Sequence, residues 1–243
     1  MMEGVMSSER VAVHICAEDR RVGREERPGP VIPWEDYAPG WALLGFMAYV
    51  FIVRLFDTDH MLAWRVSHEA LGEGQLATLQ MHMFAHASAL HFAITAFAFV
   101  PLAALAVYRL GGGLSAWLRL GLLFEASGLA GGVAYLALHR AGGEGLLGAS
   151  GVVFGLIGFL ARHKAMSAGV GEVCSVATGR QVLAMARTHI WAVCALGGVP
   201  VLFGGASGLA WEAHLGGFVT GFLLAPVLVA LGALGRTGAC GEG

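Results

Sequence analysis

The sequence predicts an all-α membrane protein built as a bundle of six transmembrane helices. Two observations lead there. Of 243 residues, 56% are hydrophobic and only 13% charged, whereas a soluble domain typically carries about 25% charged residues. Six apolar segments can also be drawn, several of them long enough to cross about 30 Å of hydrocarbon at about 1.5 Å per residue. In lipid each must be helical, because no water is available to satisfy an open backbone. The net charge of −2 argues against nucleic acid as a partner, since neutralising phosphates requires a basic surface. Cys16, Cys174, Cys194 and Cys240 show no metal-ligand spacing, and no structural disulfide is expected.

Residues 1–40 mix Arg20, Arg21, Arg24 and Arg27 with Glu18, Asp19, Glu25 and Glu26, then run into Pro28, Pro30 and Pro33. This pattern lacks the apolar run of a secretory signal and is too acidic for a transit peptide. A solvated, partly disordered cytoplasmic tail is expected. A membrane domain over 41–234 follows, and a short tail, 235–243, closes the chain. The expected spans are Trp41 to Phe56, Met83 to Tyr108, Leu114 to Leu138, Leu146 to Ala161, Val182 to Phe203, and Trp211 to Leu234. Arg109 to Gly113 makes a glycine turn between the second and third. Arg187 and His189 blur the start of the fifth.

The positive-inside rule orients the bundle. With the N-terminus cytoplasmic, the inner side holds the tail arginines, Arg109, Arg119, Arg162, Lys164, Arg180, Arg187 and Arg236. The outer side then holds only Arg54, Arg65 and Arg140, and an even number of spans places both termini inside. The bacterial inner membrane is the expected location. The outer loop Asp57 to His82 mixes Met61, Leu62, Trp64, Val66, Leu71, Leu76 and Leu79 with polar residues. That composition suits either an element lying in the interface plane or an ordinary folded loop.

Three polar features sit towards the outer ends of their spans. Ser150 begins the fourth span in Gly148-Ala149-Ser150-Gly151, His214 lies near the start of the sixth in Ala213-His214-Leu215-Gly216-Gly217, and His91 lies in the second, with Thr95 one turn later. Each has a plain alternative. In a chain with 37 glycines, Gly-Ala-Ser-Gly alone reads more readily as a packing surface. A histidine at membrane depth is either functional or paired. His82, His86 and His91 invite a metal reading but have no evident carboxylate or cysteine partner.

Together the features are sharper, because a serine hydroxyl needs a base within hydrogen-bond reach. Gly151, Gly155 and Gly158 form one stripe on the fourth span, and Gly217 and Gly221 lie beside the face of His214 on the sixth. Such stripes let backbones approach closely enough to join Ser150 and His214, or they simply pack helices. Glu212, two residues from His214, points to another side of its helix, and nothing places Glu144 behind the imidazole. A dyad is therefore favoured over a triad. The backbone N–H of Ser150, at a helix N-terminus, is the first oxyanion donor to consider, and His91 the second.

These motifs resemble the rhomboid family: a Gly-x-Ser-Gly nucleophile on the fourth helix, an Ala-His-x-x-Gly base on the sixth, and a histidine on the second matched by His91. The likeness covers roughly Phe46 to Ala230. It implies a six-helix core and an intramembrane serine endopeptidase acting through Ser150 and His214. His91 and Thr95 would lie at the oxyanion, with Gly148 and Gly151 in support. Phe154 matches the family's aromatic residue beside the imidazole. No metal or organic cofactor is implied, and the partners are transmembrane protein substrates and the bilayer. Two departures stand out: Thr95 occupies the family's asparagine position, and Trp64-Arg65 lies earlier in the first loop than the family's tryptophan-arginine pair. Loss of Ser150 or His214 would be the usual sign of the alternative, a non-proteolytic rhomboid-like protein that binds membrane clients. Both residues are present.

Overall fold

The computed structural model describes residues 31–54, 62–139, 145–162 and 210–239, with part of 175–187. The fold below belongs to the unit Ile32–Gly243. Among the described residues the regular structure is helical, apart from one isolated bridge between Val66 and Leu146. A 3-10 turn at Trp34–Tyr37 leads into α1 (Ala38–Arg54). Two short helices, α2 (His68–Gly72) and α3 (Thr78–Met81), fold the first outer loop. The long helices are α4 (Ala89–Arg109), α5 (Gly113–Leu138) and α7 (Trp211–Ala239), with the shorter α6 (Ser150–Arg162) between the last two.

Among the described residues, four stretches are long and apolar enough to cross a membrane: Trp34–Val53, Ala89–Arg109, Gly113–Leu138 and Trp211–Gly232. They overlap the expected first, second, third and sixth spans. α6 is the expected fourth, begun at Ser150 itself. Most of the expected fifth span, Val182 to Phe203, lies outside the described residues, as do Arg140 and the Gly142 to Glu144 part of the loop between the third and fourth spans.

Several expected boundaries are corrected: helical structure begins at Trp34 and α1 at Ala38, within the residues expected as tail, α6 begins at Ser150 and not at Leu146, and α7 runs past Leu234 to Ala239. The second span starts at Ala89 and not at Met83, because Ser88 caps α4 by accepting the His91 N–H at 3.1 Å. Met83 and Phe84 belong instead to a 3-10 turn, His82–Phe84, whose side chains are buried in the core. An apolar run cannot distinguish a helix facing lipid from a loop facing protein. At the other end of α4, Gly111, Gly112 and Gly113 all take positive φ, which makes the tight reversal into α5 possible.

Lipid tails are as apolar as leucine, so helices here are held by close packing and buried polar contacts. α6 is buried along nearly its whole length and packs on α7, α5 and α4. Glycine makes that possible. A Cβ on Gly217 would overlap the Gly151 carbonyl oxygen, one on Gly221 the Gly155 carbonyl, and one on Gly158 the Phe218 carbonyl. Phe99, Phe124 and Phe159 fill the space between α4, α5 and α6.

Two buried arginines secure the opposite end. Pro226 has no N–H to give the Phe222 carbonyl within α7. Arg162 Nη1, from the last turn of α6, donates to that oxygen at 3.1 Å, while its guanidinium lies 4.9 Å from the Phe222 ring. Arg119 on α5 donates to the carbonyls of Ser115, Leu228 and Leu110, tying α4, α5 and α7 together.

Candidate active site

The loop ahead of α6 is held in place by segments distant in sequence. Val66 and Leu146 exchange both backbone hydrogen bonds, at 3.1 and 2.9 Å, and the Arg65 stem lies where a Cβ on Gly145 would sit, with Cγ at 2.6 Å. Trp64 packs against the core beside them. Although displaced in sequence, Trp64-Arg65 thus lies against the chain that leads into Ser150. The Gly148 N–H donates to the His82 carbonyl at 2.8 Å. Gly148 has φ 111°, a conformation that favours glycine, and it also has no room for a side chain: a Cβ would lie 2.6 Å from His91 Cε1 and 2.9 Å from His91 Nε2. The Ala149 carbonyl accepts from Val153 at 3.1 Å and opens α6, so Ser150 stands in its first turn, where backbone N–H groups have no intrahelical acceptor.

His214 is buried near the start of α7, its N–H donating to the Ala210 carbonyl at 3.2 Å. Its ring stacks on Phe154, with centroids 4.2 Å apart and planes within 12°. Ser150 lies one turn before Phe154 on the same face of α6, so the imidazole is on the side of α6 that carries the serine. The described hydrogen bonds do not include one between Ser150 and His214. Gly151 completes the approach: a Cβ there would lie 3.3 Å from the Ala213 carbonyl oxygen.

From α4, His91 reaches the Gly148 turn, as the contact above shows. Thr95 is buried one turn further along, and none of the described hydrogen bonds joins it to the Gly148–Ser150 segment. Ser150, Phe154, His214, Gly148 and His91 are therefore gathered at one end of α4, α6 and α7, whereas Thr95 is set deeper.

A family model described as the rhomboid domain matches residues 73–231. The chain belongs to the rhomboid family. That membership and the apolar helices make it an integral membrane protein with a helical bundle fold. Rhomboids are a family of intramembrane proteases that also includes inactive members. No curated protein matches the chain.

Around this rhomboid's site lie polar groups whose contacts the sequence did not disclose. His82 Nδ1 lies 3.1 Å from the Thr78 carbonyl, and burial pushes its imidazole down to about 4, from an ordinary value of 6.5. His86 is fully enclosed, edge-on to both His91 and Phe92 with centroids 5.2 Å away. Neither of its ring nitrogens has a hydrogen-bond partner among the described residues. Glu212 turns away from His214, as its position two residues earlier implies, and meets His139 Nδ1 at 3.1 Å. His139 in turn stacks on Tyr135, four residues earlier at the end of α5, with ring centroids 4.5 Å apart.

Proposed function

We propose that this rhomboid is an active intramembrane serine endopeptidase, a six-helix bundle that cleaves transmembrane proteins in or near their membrane segments. The observation that carries the reading is the His214 ring stacked at 4.2 Å on Phe154, one helical turn from Ser150. Ser150 Oγ attacks the scissile carbonyl while His214 takes its proton. The same imidazole then returns the proton to the leaving amine as the C–N bond breaks. Water, deprotonated by His214, attacks the acyl-enzyme and frees Ser150. The oxyanion is met by the Ser150 N–H and by His91, whose ring lies against Gly148. Thr95, with a shorter side chain than asparagine, is a minor donor in this scheme.

The short α6 supports access by water. Its rise from Ser150 to Arg162 is about 18 Å, against a hydrocarbon core of about 30 Å. With Arg162 near the inner boundary, Ser150 lies about 12 Å below the outer one, in a cavity that must be wet for hydrolysis. Both termini are cytoplasmic in this arrangement, and Val182 to Phe203 supplies the remaining span. The bacterial inner membrane is the proposed location.

The test is incubation of purified protein with a transmembrane model substrate and, separately, with a serine-directed fluorophosphonate. Wild type should cleave and label; Ser150→Ala should do neither, and His214→Ala should label far more slowly. A folded wild type that does neither would instead favour a client-binding protein without proteolysis.

A further inference from the structure

Three consecutive residues at the start of α7 are each fixed by a different contact. Glu212 meets His139 Nδ1 at 3.1 Å, at the end of α5. The Ala213 carbonyl is pinched between two glycines, 3.0 Å from where a Cβ on Gly131 of α5 would lie and 3.3 Å from one on Gly151 of α6. His214 stacks on Phe154 of α6. The Glu212 side chain is only 7% exposed. A carboxylate taken out of water this far is expensive unless it is paired, and the first turn of a helix is where a negative charge is best placed. His139 is itself held. Its N–H donates to the Tyr135 carbonyl at 2.8 Å, and its ring stacks on the Tyr135 ring within 16°. The imidazole therefore presents Nδ1 in a fixed direction.

We propose that Glu212 and His139 are a positioning pair that sets the rotation of the first turn of α7, and through it the aim of the His214 imidazole at Ser150. Glu212 and His214 are about 200° apart around the helix, so a restraint on one side of the turn fixes where the other side points. A side chain reaches about 5 to 6 Å from a helix axis, so a rotation of about 10° moves its tip by about 1 Å. A displacement of that size at a reacting group lowers rate by roughly a hundredfold. The Ala213 pinch holds the helices together but, as a contact close to the axis, resists rotation weakly.

This inference rests on the proteolytic reading, and the experiment separates the two. Glu212→Gln, Glu212→Asp and His139→Phe are compared with wild type in proteoliposomes for kcat and KM on a transmembrane model substrate, alongside thermal midpoint. His139→Phe keeps an aromatic ring to stack on Tyr135 but loses both ring nitrogens, Nδ1 among them, and serves as the second variant if Glu212→Gln does not accumulate. Expected is a fall in kcat of roughly ten- to a hundredfold for Glu212→Gln and for His139→Phe. KM should stay within about twofold, and Glu212→Asp should recover part of the rate. The double variant should be no slower than either single one, as contacting partners require. Wild-type kcat in either variant overturns the proposal, as does a loss that follows thermal midpoint alone with Glu212→Asp no better than Glu212→Gln. A wild type that neither cleaves nor labels with fluorophosphonate overturns the proteolytic reading and the pair's role with it.

Discussion

Replacing Gly217 by alanine tests the contact that brings α6 and α7 together. The added methyl would overlap the Gly151 carbonyl oxygen, which is backbone and cannot swing aside. The helices must separate or turn locally. Overpacking of this kind costs about 1 to 3 kcal/mol. Because Gly151 adjoins Ser150 and Gly217 lies one turn from His214, the displacement falls on the proposed dyad. A shift of about 1 Å there predicts roughly a hundredfold slower acylation. Gly121→Ala is the control. Nothing lies within 4 Å of a Cβ at that position in α5, so alanine should be neutral or stabilise the helix by about 0.5 to 1 kcal/mol. Thermal midpoint in detergent and the rate of fluorophosphonate labelling measure both quantities on the same preparations. A Gly217→Ala protein with wild-type midpoint and labelling rate would refute the reasoning, because it would mean the two backbones are not in contact.

Other consequences are open to direct measurement. Phe154→Leu removes a ring stack worth about 0.5 to 1.5 kcal/mol, so turnover should fall roughly two- to tenfold, whereas Phe154→Tyr keeps the stack and should remain near wild type. Arg162→Met withdraws the donor from the Phe222 carbonyl that Pro226 leaves without an intrahelical N–H. An unsatisfied buried acceptor costs about 1 to 3 kcal/mol, to be seen as a lowered thermal midpoint; an unchanged one would contradict this account of the Pro226 break. His82 is held neutral by burial, at about 4 against 6.5, so the unfolded chain binds the proton more readily. Its contribution is fully present above about pH 6.5 and is lost as pH falls towards 4, by up to about 3 kcal/mol. His82→Gln should flatten the dependence of thermal midpoint on pH over that interval.

Much of this architecture was legible in local sequence. Apolar runs located α1, α4, α5 and α7, since a bilayer leaves an apolar segment little choice but to be helical. The register of Gly151, Gly155 and Gly158 against Gly217 and Gly221 foretold which faces of α6 and α7 would meet, because small residues at these spacings are what close approach requires. The Ser150 and His214 motifs marked the same end of the same two helices, and the likeness to the rhomboid family implied Phe154 beside the imidazole, where its ring stacks. What tertiary structure alone decided are contacts between segments far apart in the chain. Hydropathy could not show that Met83 and Phe84 face protein and not lipid, because it registers how apolar a residue is and not what surrounds it. Nothing local links Val66 to Leu146, Glu212 to His139, or Arg162 to the carbonyl released by Pro226. Each depends on how helices separated by many residues close on one another, and the polar groups then pair with whatever that closure brings within reach.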